Sequence, residues 1–256
     1  MLVGDNMKEE YINLTIDNVD KEHICCAIAD KKHQEGVIRK KEFLKSQIQE
    51  GHVFRKLNQN GKVFIEYGNL EKEFVPVIGK NYLYIYCFWV SGSFKEKGYG
   101  KQLLEYAISD AKAKNKNGIC VVSSKKKLPF LSDRSFFEKY GFKVIDTAEP
   151  HFELLALNFN NEPAPKFTDK AKSNTIDEDG LVIYYTDECP YINNCLKEIR
   201  EVCEEKNIAL KLDYVNTVEK AKDLPCCMNN FAVFYNRKFI THELLNKGRL
   251  INFLNL

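Results

Sequence analysis

The chain has 256 residues, 44% of them hydrophobic and 29% charged, with 38 Lys and Arg against 36 Asp and Glu. That composition supports packed cores and excludes wholesale disorder or collagen-like repeats, and a net charge of +2 argues against nucleic-acid binding through bulk charge. The longest apolar run is Tyr82 to Val90, about half of what a membrane span requires. The first residues show no apolar core of a secretory signal, so the nine cysteines are expected to be reduced thiols of a cytoplasmic protein rather than a disulfide framework.

Tyr11 to Ile16 alternates as a strand does. Helices are predicted over 21–30 and 37–50. His52 to Leu57 and Lys62 to Tyr67 flank Asn58-Gln-Asn-Gly61, a hairpin signal. Tyr82 to Val90 reads as a buried strand. After it, Leu103, Leu104, Ala107, Ile108 and Ala111 recur at three- and four-residue spacing and mark one apolar helix face. A strand over Gly118 to Val122, a short helix over Phe130 to Tyr140 and strands over 142–148 and 151–159 close the region. Residues 161–180 are polar, hold Pro163 and Pro165 and show no periodicity, as a linker or crossing strap would. They divide the chain into units 1–160 and 181–256. The second unit is predicted as strand 181–186, helix 191–206, strand 209–215, strands 231–236 and 237–241, and helix 242–255. The fold class is α+β, a mixed sheet flanked by helices followed by a small α/β unit.

The most informative segment is Val90-Ser-Gly-Ser-Phe-Lys95-Glu-Lys-Gly98-Tyr-Gly100-Lys101. A strand runs into a glycine-containing turn that opens onto a helix. Glycines allow close backbone approach, and the first N–H groups of a helix lack internal partners, so such a terminus favours a diphosphate. Lys95, Lys97 and Lys101 add positive charge.

This segment resembles motif A of the GNAT acetyltransferases, [Arg/Gln]-x-x-Gly-x-[Gly/Ala], here Lys95-x-x-Gly98-x-Gly100 with Lys in place of Arg or Gln. Ser135-Phe-Phe-Glu-Lys-Tyr-Gly141-Phe142 resembles the second signature of that family. Ile65-Glu-Tyr67, Cys87-Phe-Trp-Val90, Lys125-Lys-Lys-Leu-Pro-Phe-Leu-Ser-Asp133 and the small C-terminal unit are similar to the YoaP-like acetyltransferases. The resemblance implies acetyl-CoA as co-substrate, bound between two parted strands of a GNAT mixed sheet. Backbone groups of Phe88, Trp89 and Val90 would hold the acetyl and pantetheine portions. Lys95, Glu96, Lys97, Gly98, Tyr99, Gly100 and Lys101 would hold the pyrophosphate. The acceptor would be a small-molecule or peptide amine, and many relatives pair into homodimers through sheet edges.

The family's usual acid, a Tyr in the second signature, is replaced by Phe137, which cannot donate a proton; Phe130 stands where an Asn is usual. Substitutes are sought elsewhere. Glu66 is the first candidate for a base, with burial expected to raise its pKa. Cys87 could donate a proton or accept an acyl group, and Tyr140 or Tyr86 could act as acid. His151 and Glu153 could face an incoming acceptor, and Lys125 to Lys127 could meet nucleotide phosphates.

The C-terminal order resembles a minimal thioredoxin-like fold. Cys189 lies where thioredoxins place Cys-x-x-Cys at a helix N-terminus, but Ile192 replaces the second cysteine. The loop Leu224-Pro-Cys226-Cys227 is expected beside the first one, which makes Cys189 with Cys226 or Cys227 a candidate thiol pair. The alternatives to an acetyltransferase are therefore a non-catalytic CoA-binding regulator and a thiol- or metal-binding module.

Overall fold

The computed structural model describes residues 10–228 and 230–254; the extreme N-terminal stretch and the last residue of the expected final helix lie outside them. In chain order the first unit comprises β1 (Tyr11–Asn13), α1 (Gln34–Gln49), β2 (Val53–Leu57), β3 (Val63–Asn69), β4 (Val77–Ile78), β5 (Tyr82–Val90), α2 (Tyr99–Ala113), β6 (Gly118–Ser124), β7 (Ser132–Asp133), α3 (Arg134–Glu138), β8 (Lys143–Ala148) and β9 (Phe152–Asn158). The connection holds β10 (Lys166–Phe167) and α4 (Asp169–Ser173), and the second unit β11 (Leu181–Tyr185), α5 (Ile192–Glu205), β12 (Leu210–Tyr214), α6 (Val218–Lys222), β13 (Phe231–Tyr235), β14 (Lys238–Thr241) and α7 (Lys247–Leu254). No helix among the described residues is long and apolar enough to cross a membrane.

The large sheet runs β1-β2-β3-β5-β6-β9-β8, with β7 added to β6. Its pairs are antiparallel except β5 with β6 and β6 with β7. The parallel β5–β6 pair needs a crossover, and α2 supplies it. One sheet face carries Val63, Ile65, Leu83, Ile85 and Val121 against the apolar stripe Leu103, Leu104, Ala107 and Ala111 of α2 and Phe137 of α3. These residues are essentially solvent-free, each removing apolar surface worth roughly 1.5–3 kcal/mol for the larger side chains.

The opposite face is divided. Near β2 and β3 it packs on α1 and the segment before it, through Val19, Ile24, Leu44, Phe54 and Phe64. The rest of it, Tyr84, Tyr86, Val122, Phe152 and Leu154, shares a single core with Val182, Val215, Leu224, Ala232 and Phe234 of the second unit. The second sheet, ordered β12-β11-β13-β14, is thus sandwiched between the large sheet and its own helices α5 and α7, which cover its other face through Ile183, Ile199, Val233 and Leu250. The connection joins the two units as a packed strap. Its β10 pairs with β4, and Phe167 and Ala171 are fully buried.

Several sequence expectations change. The helix expected over Phe130 to Tyr140 is confined to Arg134–Glu138, after β7 at Ser132–Asp133 and a left-handed Phe130. Residues 21–30 form bends and turns rather than a helix. Cys25, Ala27 and Ala29 there take left-handed backbone angles, which a right-handed helix cannot contain. The first strand ends at Asn13, where the Asn18 side chain accepts from the Thr15 amide and turns the chain. The last helix begins at Lys247 rather than 242, because His242 is used in a hydrogen bond to the Pro129 carbonyl.

A buried ionic group spans the two units. The Lys40 ammonium donates to Glu66 Oε2 at 2.6 Å and to Glu188 Oε1 at 2.7 Å. His52 Nδ1 lies 2.9 Å from Glu73 Oε1, and its Nε2 lies 3.5 Å from Glu66 Oε2. All five side chains are sealed from solvent. Burial opposes the charged His52 ring, but Glu73 and Glu66 outweigh it and raise its pKa to about 10. Burial, with Glu66 nearby, pushes Glu188 well above the carboxylate range, despite Lys40. The raised Glu188 pKa contributes stability that is complete below the ordinary carboxylate pKa and is lost as pH rises toward the folded value.

Two outcomes are expected of thermal and urea unfolding. Lys40→Met, which strands the buried acidic groups of Glu66 and Glu188, should cost about 3–5 kcal/mol. Glu188→Gln, which cannot ionise, should fold and show a flatter fall in Tm than the unaltered protein as pH rises above the ordinary carboxylate range; an identical pH slope would show that the Glu188 pKa is not raised in the folded state.

Candidate acetyl-CoA site

The site begins at an irregularity in β5. Glu66 faces Cys87 across the β3–β5 ladder, but the next β3 residue, Tyr67, faces Ile85. One β5 residue is therefore extra, a bulge that bends the strand and re-aims the residues beyond it. From there β5 keeps its pairing with β3 through Val90 but leaves β6, with which it pairs only over Tyr82–Ile85. The two strands part there, and β7 lies beside Ser123 and Ser124 of β6. Hydrogen-bond parity decides which β5 groups face the gap. The Ser91 amide donates to the Lys62 carbonyl at 3.0 Å, so by antiparallel alternation Trp89 and Cys87 also bond toward β3, while the N–H and C=O groups of Phe88 and Val90 turn away from it toward the gap.

The gap is aimed at the N-terminus of α2. A 3₁₀ turn over Gly92–Phe94 leads to Lys95 and Glu96, and the cap residue Gly98 has φ +84° with no side-chain cap. A Cβ on Gly98 would meet nothing within 4 Å, so its glycine serves backbone conformation and leaves space above the terminus. The first helical hydrogen bond runs from the Gln102 amide to the Gly98 carbonyl, which leaves the Gly100 and Lys101 amides without intrahelical acceptors. At Gly100 a Cβ would already stand 3.3 Å from the Phe136 and Phe88 rings. Lys95 and Lys97 are exposed beside this turn, and Lys101 has Glu105 as a 3.7 Å partner. Tyr99 is buried and meets Phe94 edge-to-face, ring centres 5.7 Å apart. The arrangement can hold an extended amide-bearing chain along β5 and an anion at α2.

The wall of the gap on the α2 side is aromatic. Phe88 stacks on Phe136 at 5.0 Å and meets Phe137 edge-on at 5.7 Å. Phe137 is fully buried, and Tyr140 packs on Phe136 at 5.1 Å. Tyr140 thus lies on the same face as Phe88, whereas Glu66 and Cys87 lie on the α1 face.

Glu66 departs from expectation in its charge. Burial does push its pKa up, but Lys40 and His52 outweigh burial and hold it below the carboxylate range. Cys87 is raised well above the usual thiol value by burial and by the Glu66 carboxylate, so it is a protonated thiol. The Tyr86 hydroxyl donates to the Phe74 carbonyl. Glu153 forms a bidentate pair with Arg134, and His151 lies 3.2 Å from His242 of the second unit. Lys125 and Lys126 are exposed, and Lys127 pairs with Asp133.

The expected thiol pair is not assembled. Cys226 and Cys227 are buried in the core between the sheets, whereas Cys189 packs on the far side of β11 among the α5 contacts. Burial raises Cys226 to about 12 and Cys189 to about 11, although the Tyr191 amide hydrogen-bonds the Cys189 sulfur. The electrostatic neighbours of Cys189 are Lys40, Glu188 and Glu66, and it in turn acts on Cys26. Among the described residues no three His, Cys, Asp or Glu side chains are grouped as metal ligands.

The sequence reading missed Lys40, His52, Glu73 and Glu188. Lys40 left a trace: it falls four residues from both Gly36 and Leu44, on the buried stripe of α1, where a lysine needs a partner.

The chain is similar to known proteins. Residues 52–144 match the acetyltransferase (GNAT) domain model, and residues 210–252 match the model described as YoaP-like. An uncharacterized N-acetyltransferase YoaP of Bacillus subtilis (strain 168) is 40% identical over 246 residues, which cover 96% of this chain and 98% of that protein. Among solved structures, the PaiA N-acetyltransferase of Thermoplasma acidophilum in complex with coenzyme A is 21% identical, covers 60% of this chain and 100% of its own, and has a TM-score of 0.43. A GNAT-family acetyltransferase of Staphylococcus aureus Mu50 is 18% identical, covers 59% and 99%, and has a TM-score of 0.41. With 40% identity along nearly its whole length, the chain belongs to the YoaP-like family of GNAT N-acetyltransferases.

Proposed function

We propose that the chain moves the acetyl group of acetyl-CoA to an amine by direct attack on the thioester, with the cofactor in the gap between β5 and β6. The observation that carries this assignment is the parting of those strands at Ile85, with the Phe88 and Val90 backbone turned toward the gap and the α2 terminus beyond it. Phe88 and Val90 would pair with the pantetheine amides as a strand does. The Gly100 and Lys101 amides, with Lys95 and Lys97, would hold the pyrophosphate. The Val90 N–H would polarise the thioester carbonyl as negative charge develops on its oxygen.

The acceptor must reach the thioester as a neutral amine, from the α1 face, because the α2 face is closed by Phe88, Phe136 and Phe137. Glu66 is the ionised carboxylate opposite Cys87 on that face, and we assign it as the base, acting through water and backed by Lys40 and His52. Tyr140, on the cofactor's face, is assigned as the acid that protonates the departing CoA thiolate in place of the phenol that Phe137 lacks. The second unit, with β11 and β12 parallel and β13 and β14 antiparallel to their neighbours, is read as thioredoxin-like in arrangement and as a wall of the acceptor side. Its protonated, buried thiols favour that role over dithiol chemistry.

Gly100→Glu should abolish CoA binding in calorimetric titration while leaving Tm within a few degrees; retained micromolar affinity would defeat the assigned cradle. Glu66→Gln and Tyr140→Phe should each lower turnover in a thiol-release assay by about 10²-fold or more, with the acetyl-CoA Kd changed less than about threefold. Unchanged turnover in either variant removes that residue from the mechanism.

A further inference from the structure

On the α1 face, next to the proposed thioester position, the side chains of Lys62, Trp89 and Tyr191 meet. Lys62 stands directly across the ladder from Ser91, the residue after Val90. Its ammonium lies 5.2 Å from the centre of the Trp89 ring and 5.8 Å from that of Tyr191, held by the faces of two rings. Trp89 is 40% exposed although it sits in a central strand. Tyr191 comes from the second unit, on the loop that follows β11. That loop is pinned to α1, since a Cβ on Gly36 would overlap the Pro190 carbonyl oxygen at 1.9 Å.

Two donors converge here without an anion. Lys62 has no carboxylate partner among the described residues; its ammonium donates to the Tyr191 hydroxyl oxygen at 3.3 Å. The same oxygen accepts from the Ala27 amide at 3.1 Å. With two hydrogen bonds accepted, the Tyr191 hydroxyl has its own proton to give, and no acceptor for that proton is present among the described residues. One uncompensated positive charge and one O–H, 3.3 Å apart, match the two oxygens and single charge of a carboxylate. The adjacent exposed indole offers a flat surface for the rest of a small molecule. A second cation on the acceptor would instead meet the Lys62 charge.

We infer that Lys62 and Tyr191 form a carboxylate-binding subsite beside the thioester, and that the acceptor is an α-amino acid whose carboxylate they hold while its amine faces the acetyl group. This inference rests on the acetyltransferase reading and narrows its acceptor. It also gives the second unit a specificity role, since Tyr191 both positions the lysine and contributes the second donor.

Trp89 is the sole tryptophan of the chain, so its emission reports this subsite directly. The test titrates the full chain, with and without CoA, using the common L-amino acids, their decarboxylated amines and spermidine. At least one amino acid is expected to shift Trp89 emission saturably and to bind about tenfold or more tighter than its decarboxylated amine, with spermidine weaker still. Lys62→Gln should reduce that difference to less than about threefold. Tyr191→Phe should reduce it in part, with an unchanged Tm showing that the loop stays docked. The inference is overturned if decarboxylated amines bind as tightly as their amino acids, if Lys62→Gln keeps the preference, or if no amino acid perturbs Trp89. Failure of CoA to bind by calorimetry would strike the acetyltransferase reading instead, while the amino-acid response is scored in either case.

Discussion

The whole arrangement depends on one extra residue in a central strand. In an interior strand both rows of backbone polar groups are normally taken by neighbours, and a buried unpaired row is costly. Strand β5 meets this requirement on both sides up to Ile85 and on one side only beyond it. The bulge also changes side-chain parity. Tyr84, Tyr86, Cys87 and Trp89 share the face toward α1 and the second unit, while Leu83, Ile85, Phe88 and Val90 share the face toward α2. A single insertion thereby separates an apolar, aromatic face, where we propose the cofactor, from a polar, composite face, where we propose the acceptor.

The second unit is part of that composite side. Two sheets facing each other across one core bury large aromatic surfaces from both, and neither face could stand in water alone. Apolar burial is undirected, however, and tolerates sliding. The Lys40 group restricts it, because Glu188 of the second unit must stay within hydrogen-bond reach of Lys40 of the first. Ionic groups of this kind add little net stability over an apolar replacement, but they penalise misalignment heavily. We read the group as a register device between the units.

Much of the fold was legible in the sequence because local signals dictate it. The stripe from Leu103 to Ala111, the strand Tyr82 to Val90 and the glycine at 98 each carry their structural reason within a few residues, and the proposed cofactor cradle lies on them. The acceptor side was not legible, because its groups are joined only by tertiary contact. Lys40, Glu66 and Glu188 come from three separated segments, and Glu66 read alone suggests a raised pKa where two cations impose a lowered one. The same holds for the thiols. Loop proximity in a thioredoxin-like unit suggests Cys189 beside Cys226, but the two lie on opposite faces of β11 and its neighbours, a distinction that depends on side-chain direction rather than loop order. The missing helix at 21–30 has a similar origin, since that segment bends where the Ala27 amide meets Tyr191 of the other unit.

The two lysines on the acceptor side show how the second unit divides its work. Lys40 and Lys62 each meet the loop after β11, at Glu188 and at Tyr191, three residues apart. Lys40 receives the Glu66 carboxylate, the acidic side chain of Glu188 and full burial, so its charge is answered within the protein. Lys62 receives a neutral phenol and two ring faces, which hold the ammonium in place without cancelling it. A fixed, partly desolvated and uncancelled charge attracts an anion more strongly than a freely hydrated lysine would. One short loop thus answers the cation that must stay buried and displays the other, and on the proposed reading acceptor selection falls to the appended unit and acetyl-group activation to the large sheet.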